Sequence, residues 1–208
     1  LFDNNSDGYM KEYYSEISYG NFLVDGVAGG WHQSTYTMEQ AEQNTRGYVA
    51  EVVQLADPDY DFSQYDNDGP DNVPNSGDDD GFVDGIIVVY SGCGAEVNEG
   101  NNNIWPHQSS LYNDQYQTND PSANGGYVIV NTYAVCPELS GGGDCWTDQI
   151  RPIGVYAHEF GHVLGLPDLY DRDDSSAGIG SWCLMASGSH NGGLGTIPAH
   201  MSAWCKMQ

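Results

Sequence analysis

The sequence predicts a single α+β domain, on three observations. Helix-period apolar patterns and short apolar strands interleave along the chain, with no block of one type. No internal repeat and no interdomain linker interrupts the 208 residues. That length is enough for one sizeable core, or for two lobes around a cleft.

In order, residues 20–27 (Gly-Asn-Phe-Leu-Val-Asp-Gly-Val) alternate like a strand and end at the turn Gly29-Gly30. Thr37 to Ala56 carries a helical pattern, with Met38, Ala41, Tyr48, Val49, Val52, Val53 and Leu55 as its apolar face. Pro58 stops it, and an Asp-rich stretch from Asp57 to Asp84 is too polar to be core. Residues 85–90 (Gly-Ile-Ile-Val-Val-Tyr) are apolar at successive positions, which predicts a strand buried on both faces. Residues 91–126, rich in Asn, Ser and Gly, read as mostly loop and Tyr127 to Val135 as another strand. Pro152 suits a first helical turn, so a helix is expected from there to about Leu164. Residues 165–195 read as irregular, and a last helix is expected near Pro198.

Composition excludes several partners. Thirty acidic residues stand against five basic ones, a formal charge of −25. This argues against nucleic acid and against anionic membrane surfaces. No apolar run approaches the eighteen or so residues of a membrane span. Leu1 at the start, with no signal sequence, fits a processed mature domain. Abundant Asn, Asp, Gly, Ser and Tyr with scarce Lys suggests a secreted protein, where disulfides persist. In a cytosolic enzyme the five cysteines would instead be free thiols. Cys136 and Cys145 flank a short Gly-rich loop, Ser140 to Gly143, and are the easiest pair to close. Cys183 and Cys205 form a plausible second pair, leaving Cys93 odd.

The chemistry concentrates in residues 158–168, His-Glu-Phe-Gly-His-Val-Leu-Gly-Leu-Pro-Asp. His158 and His162 are four apart, so on a helix both imidazoles leave one face and can grip one zinc ion. A catalytic zinc takes three protein ligands and keeps one position open. Asp168 is read as the third ligand, with Gly165 marking where the helix stops and the chain turns back. Glu159 is placed to take a proton from a water at the open position. The alternative is two partly buried helix histidines beside a solvated Glu. Burying such groups on an otherwise apolar helix without a metal is costly, which weighs against it.

A second cluster is acidic. Seven aspartates fall within residues 66–84 and repel one another. Calcium wants six to eight oxygens, and Asp-x-Asp-Gly patterns supply carboxylates on alternate residues with a glycine for the turn. Asp66, Asp68, Asp78, Asp80 and Asp84 are the candidate ligands for one or more calcium ions. No bidentate Glu completes an EF-hand, and the alternative is a solvated loop.

Three stretches together resemble the immune inhibitor A family of secreted bacterial zinc metallopeptidases. They are residues 158–171 around the zinc run, residues 180–188 (Gly-Ser-Trp-Cys-Leu-Met-Ala-Ser-Gly), and the Asp-Gly runs at 61–69 and 78–84. Weaker echoes lie at residues 13–20, 104–107 and 198–204, so the likeness spans the chain. The resemblance implies a metzincin-like fold: a twisted mixed sheet with helices, the zinc helix along the cleft, and a small irregular C-terminal lobe from about residue 165. It also implies an aspartate as third zinc ligand, and a Met-turn in which Met185 packs beneath the ligands. It further implies a removed propeptide, hence a zymogen, with trailing domains. Ser187 stands where many metzincins carry a tyrosine, so Tyr170, His190 and His200 are all candidates to stabilise the oxyanion, with His107 expected to be structural.

The expected function is a secreted, monomeric zinc endopeptidase acting on proteins or peptides. Two other readings share the motif. One is a zinc hydrolase of another amide or a glycan; the other is a calcium-dependent extracellular binding module without catalysis, against which the intact Glu159 argues.

Overall fold

The structure is a computed structural model and describes residues 9–97, 102–141, 145, 149–173 and 175–208. Four α-helices and five strands are mixed along the described chain, so the class is α+β as expected. The chain divides into two compact units. The first comprises Leu1–Ala28, Ser91–Cys93 and Pro137–Gln208, and the second Gly29–Tyr90 and Gly94–Cys136.

The second unit is built on a shared apolar core. Helices α2 (Met38–Gln43) and α3 (Thr45–Ala56) replace the single helix expected over 37–56. Thr37 and Gln40 form a reciprocal capping box at the start of α2. Asn44 breaks the run: its non-helical backbone (φ −142°, ψ 65°) ends α2, and its side chain caps α3 by accepting from the Gly47 N–H at 3.2 Å. Val49 and Val53 of α3 pack with Phe62, Val88, Tyr90 and Leu111 in the core.

Strands β1 (Ile86–Cys93), β2 (His107–Ser110) and β5 (Thr132–Leu139) form one sheet in the order β1-β5-β2. β2 runs antiparallel to β5, with His107 opposite Val135 and Ser109 opposite Tyr133. β3 (Tyr116–Pro121) and β4 (Tyr127–Val130) make an antiparallel pair with a register shift between Gln117 and Pro121. The region expected to be mostly loop, 91–126, is largely so but also holds the two short strands β2 and β3; its residues 98–101 lie outside the described residues. Both strands are largely polar, β2 half-buried and β3 exposed at every second residue, so their pairing supplies the order that their composition does not announce. The expected strand over 127–135 is broken at Asn131, whose side chain accepts from the Tyr112 N–H. β1 is less buried than its apolar run suggests: Val88, Tyr90 and Cys93 are buried and the rest are half-buried or exposed.

The first unit holds α1 (Met10–Ile17) and α4 (Ile153–Val163). α1 was not expected from the sequence. Its buried Met10, Tyr13, Tyr14 and Ile17 fall at helical spacing and tie it to α4, with the Tyr14 hydroxyl donating to the Ala157 carbonyl at 2.7 Å. Residues 20–27 form no strand: Gly20 closes a turn at φ +77°, the rest has no regular structure, and Val24 alone is buried. The helix expected near Pro198 is also absent, and only a short 3-10 turn, Cys205–Met207, closes the chain.

The cysteine pairing differs from expectation. Cys93, expected to be odd, is bonded to Cys145 in place of Cys136, while Cys136, Cys183 and Cys205 are buried and lie outside that bond. Cys136 lies inside β5, its side chain packed at 0% exposure, so the short loop that follows cannot draw it out to Cys145. Cys93 ends β1, the neighbour of β5 in the sheet, which brings it to Cys145 across 52 residues of sequence. The glycines 142 and 143 of that loop lie outside the described residues. Among the described residues, no helix is long and apolar enough to cross a membrane.

Candidate metal centre

Helix α4 presents the histidines. Its N-cap is Pro152, and it ends where Gly165 takes φ +85°, a left-handed turn that a side chain would strain. The Gly165 N–H donates to the His162 carbonyl and the Leu166 N–H to that of Gly161, the pairing of a Schellman stop. The chain then doubles back and delivers Asp168. A hydrogen bond from the Leu169 N–H to the Met185 carbonyl, 2.6 Å, holds it there.

His158, His162 and Asp168 come together. Asp168 Oδ1 lies 3.2 Å from His158 Nε2 and 3.1 Å from His162 Nε2. Each ring's other nitrogen meets a backbone carbonyl: Nδ1 of His158 at Leu184 O (2.9 Å) and Nδ1 of His162 at Leu166 O (2.7 Å). A carbonyl only accepts, so both Nδ1 atoms carry the proton and both Nε2 atoms of neutral rings present lone pairs. Those lone pairs face Asp168 Oδ1, itself buried and without a hydrogen-bond donor. Three acceptors thus converge on one point. Ligands about 2.0–2.1 Å from a tetrahedral cation sit about 3.3 Å apart, close to the two separations found here. The group fits a metal.

The electrostatics agree. Burial works against a charged His158, yet the Asp168 oxygen and the Glu159 charge outweigh it and push the pKa up. Burial also works against the Asp168 carboxylate, but His158, the Tyr170 hydroxyl and the charge of both imidazoles hold it far below the usual range. The far oxygen, Oδ2, accepts from Tyr170 Oη and Arg172 Nη2, both at 2.9 Å. These two partners were not foreseen as Asp168 orienters; a tyrosine and an arginine two and four residues after a ligand are the signal.

Glu159 is buried at 7% exposure, beside the ligands on α4. Met185 is fully buried, and its sulfur packs on α4 at Gly161, between the two histidines. The turn Ser187–His190 docks on the first turn of the same helix: a Cβ at Gly154 would clash with the Ser189 carbonyl oxygen. Gly154, His158 and His162 are spaced by four, so this turn meets the helix face that carries the ligands. Of the three oxyanion candidates, Tyr170 is engaged with Asp168, and His200 is paired with Glu16 at 3.3 Å. His190 bonds Ser189 Oγ at 2.9 Å, and burial with the charges of Arg151 and His158 pushes its pKa down. His107 is in the second unit, held by the Trp105 carbonyl and edge-on to Tyr133.

The aspartate cluster lies in the second unit. Carboxylate oxygens of Asp66, Asp68 and Asp79 lie within 4.8 Å of one another. Asp79 was not among the expected ligands, and Asp78, Asp80 and Asp84 do not join this group. Asp78 accepts from the Ser76 hydroxyl and Asp71 N–H, Asp80 from the Phe82 N–H, and Asp84 from the Asn67 N–H. In a run of three aspartates, only the turn geometry decides which one faces inward. Asp79 is oriented by the N–H groups of Gly69 and Ser76. Burial, then repulsion from Asp79, Asp80 and Asp68, pushes the Asp66 pKa up to about 6, against a lowering bond from the Gly81 N–H.

A family model described as immune inhibitor A peptidase M6, catalytic domain, matches residues 1–208. The chain belongs to that family. As a peptidase M6 catalytic domain it is a metallopeptidase, which is what the resemblance implied. It is similar to the pre-pro-metalloprotease PrtV of Vibrio cholerae serotype O1, 30% identical over 222 residues, 95% of this chain and 23% of that protein. It is also similar to Immune inhibitor A of Bacillus thuringiensis subsp. alesti, 30% identical over 224 residues, 93% of this chain and 30% of that protein. The peptidase M6 chain therefore spans 23–30% of the length of these relatives.

Proposed function

We propose that residues 1–208 form the catalytic domain of a secreted zinc endopeptidase that hydrolyses peptide bonds of proteins. The observation that carries this is the convergence of His158 Nε2, His162 Nε2 and Asp168 Oδ1, three acceptors with no donor of their own between neutral rings. Zinc bound there supplies a Lewis acid and an acidified water. The carbonyls of Leu184 and Leu166 fix the imidazole tautomers, and Tyr170 and Arg172 fix the Asp168 rotamer. Glu159 is buried beside the converging residues but not among them, and its carboxylate would serve as the general base that accepts a proton from water and returns it to the leaving amine. His190, on the turn docked at the ligand face, is the best placed of the three oxyanion candidates. Met185 beneath α4 supports the Met-turn and hence the metzincin-like reading.

Calcium belongs to the same proposal. Asp66, Asp68 and Asp79 would share one ion, which offsets the repulsion that raises Asp66. Secretion is supported by the Cys93–Cys145 disulfide.

The test is cleavage of casein and gelatin by zinc-loaded protein, after o-phenanthroline treatment, and after zinc is restored. Loss and recovery of cleavage is expected. Full activity with no metal bound would overturn the zinc reading, and a zinc-loaded, folded protein that cleaves neither substrate would favour the hydrolase of another amide or a glycan.

A further inference from the structure

We propose that Cys183 and Cys205 are a second site of oxidation, forming a disulfide that fixes the turn beneath the metal ligands. Their sulfurs lie 3.9 Å apart in van der Waals contact, and both residues are buried. A disulfide needs about 2.0 Å, so side-chain rotation has to close a gap of about 2 Å. Each sulfur holds a weak bond from the same residue: the Ser202 N–H donates to Cys183 Sγ and the Ser202 hydroxyl to Cys205 Sγ, both at 3.2 Å. Such bonds are replaced at little cost. The Cys93–Cys145 bond is the independent sign that this chain meets an oxidant strong enough to join cysteines.

The position gives the bond its consequence. Cys183 is followed directly by Leu184, whose carbonyl orients His158, and by Met185, whose sulfur supports α4 at Gly161. Ser202 and Cys205 belong to the closing segment, which also bonds this turn through the Leu184 N–H and the His200 carbonyl. A bond from 183 to 205 closes a loop that contains Leu184, Met185 and the Ser187–His190 turn. That loop makes the contacts to the ligand face of α4 described above.

The oxidant is a disulfide such as oxidised glutathione. The Cys205 thiolate attacks one glutathione sulfur, a Cys205–glutathione bond forms, and glutathione thiolate leaves and takes up a proton. The Cys183 thiolate then attacks the Cys205 sulfur and expels the second glutathione, which is protonated in turn. Two protein thiols are oxidised, one glutathione disulfide is reduced, and both protons end on glutathione. Burial pushes the Cys205 thiol up, so exchange in the folded chain is slow and closure belongs to folding.

The protein is refolded with reduced and oxidised glutathione, alkylated without reduction, digested and analysed by mass spectrometry. A linked 183–205 peptide beside the 93–145 one is expected, with the Cys183→Ala/Cys205→Ala double variant melting about 5–10 °C lower. Two fully alkylated thiols at 183 and 205 in the wild-type protein would overturn the proposal, whether or not the variant folds. The role at the turn rests on the zinc reading and has its own readout. Zinc transfer to a chelator is expected to be about tenfold slower from the linked protein than from the double variant. Equal transfer rates with the link present would remove that role, while protein that binds no zinc in either form would condemn the zinc reading and leave the mass spectrum standing.

Discussion

Met185 and Gly161 occupy space that a single added atom would contest: a Cβ at Gly161 would clash with the Met185 sulfur. The residue just before His162, the last of the three between the two histidines, is thus glycine because a sulfur presses on the helix there. The turn and the metal site are thereby one packing unit.

Gly161→Ala should destabilise the protein and weaken metal retention. Alanine favours a helix by up to about 1 kcal/mol over glycine, but overpacking a tight site costs about 1–3 kcal/mol. The net loss expected is about 1 kcal/mol. Adding Met185→Ala should make the double variant less damaged than the two single losses together, because the clash is then gone. Thermal melts and zinc content of all three variants check this, and strictly additive losses would show that the contact does not matter.

Glu159→Gln should keep zinc near one per chain and lose about 10²–10⁴ of peptide cleavage. Glutamine keeps the size of a side chain that is buried, so folding should hold. Metal analysis beside the rate measurement separates base from ligand. A variant that loses zinc together with activity would mean Glu159 coordinates the metal.

The Asp168 partners should rank by their burial. Asp168→Ala leaves two ligands and should strip the metal. Tyr170→Phe removes one of two donors to Oδ2 and should cost about tenfold in metal affinity. Arg172→Ala should cost less, because the Arg172 side chain is 76% exposed and its ion pair is screened. Competition with a zinc chelator measures all three. An Arg172 variant weaker than the Tyr170 one would reverse the argument.

The metal site was legible because its information is local. The spacing of His158, His162, Gly165 and Asp168 sets face, stop and return within eleven residues. α1 was not read from the sequence, although its buried Met10, Tyr13, Tyr14 and Ile17 fall at helical spacing, because eight residues are too few for that pattern to stand out beside the strand-like stretch that follows. Other features depend on distant chain. β2 and β3 are ordered by partners across the sheets, Cys93 reaches Cys145 through strand adjacency, and Met185 meets Gly161 across 24 residues. No pattern near Cys136 says that its side chain faces the interior of β5. In the aspartate run, composition found the cluster and turn geometry chose Asp79 over Asp78.

That choice makes the calcium proposal sharp. Calcium that binds only the folded chain adds about 2.7 kcal/mol at a hundredfold excess over its dissociation constant, a melting rise of about 5–10 °C at this size. The quantity to compare is the difference between melts in millimolar calcium and in EGTA, which cancels whatever a variant does to the ion-free loop. Asp79→Asn and Asp66→Asn should reduce that difference to near zero. Asp78→Asn should leave it near the wild-type value, since Asp78 is occupied by Ser76 and Asp71 outside the converging group. Zinc content should be equal in both buffers. If wild-type protein binds no calcium and melts alike in both, the cluster is a solvated loop; if Asp78→Asn abolishes the difference and Asp79→Asn keeps it, the ion sits among other oxygens than these.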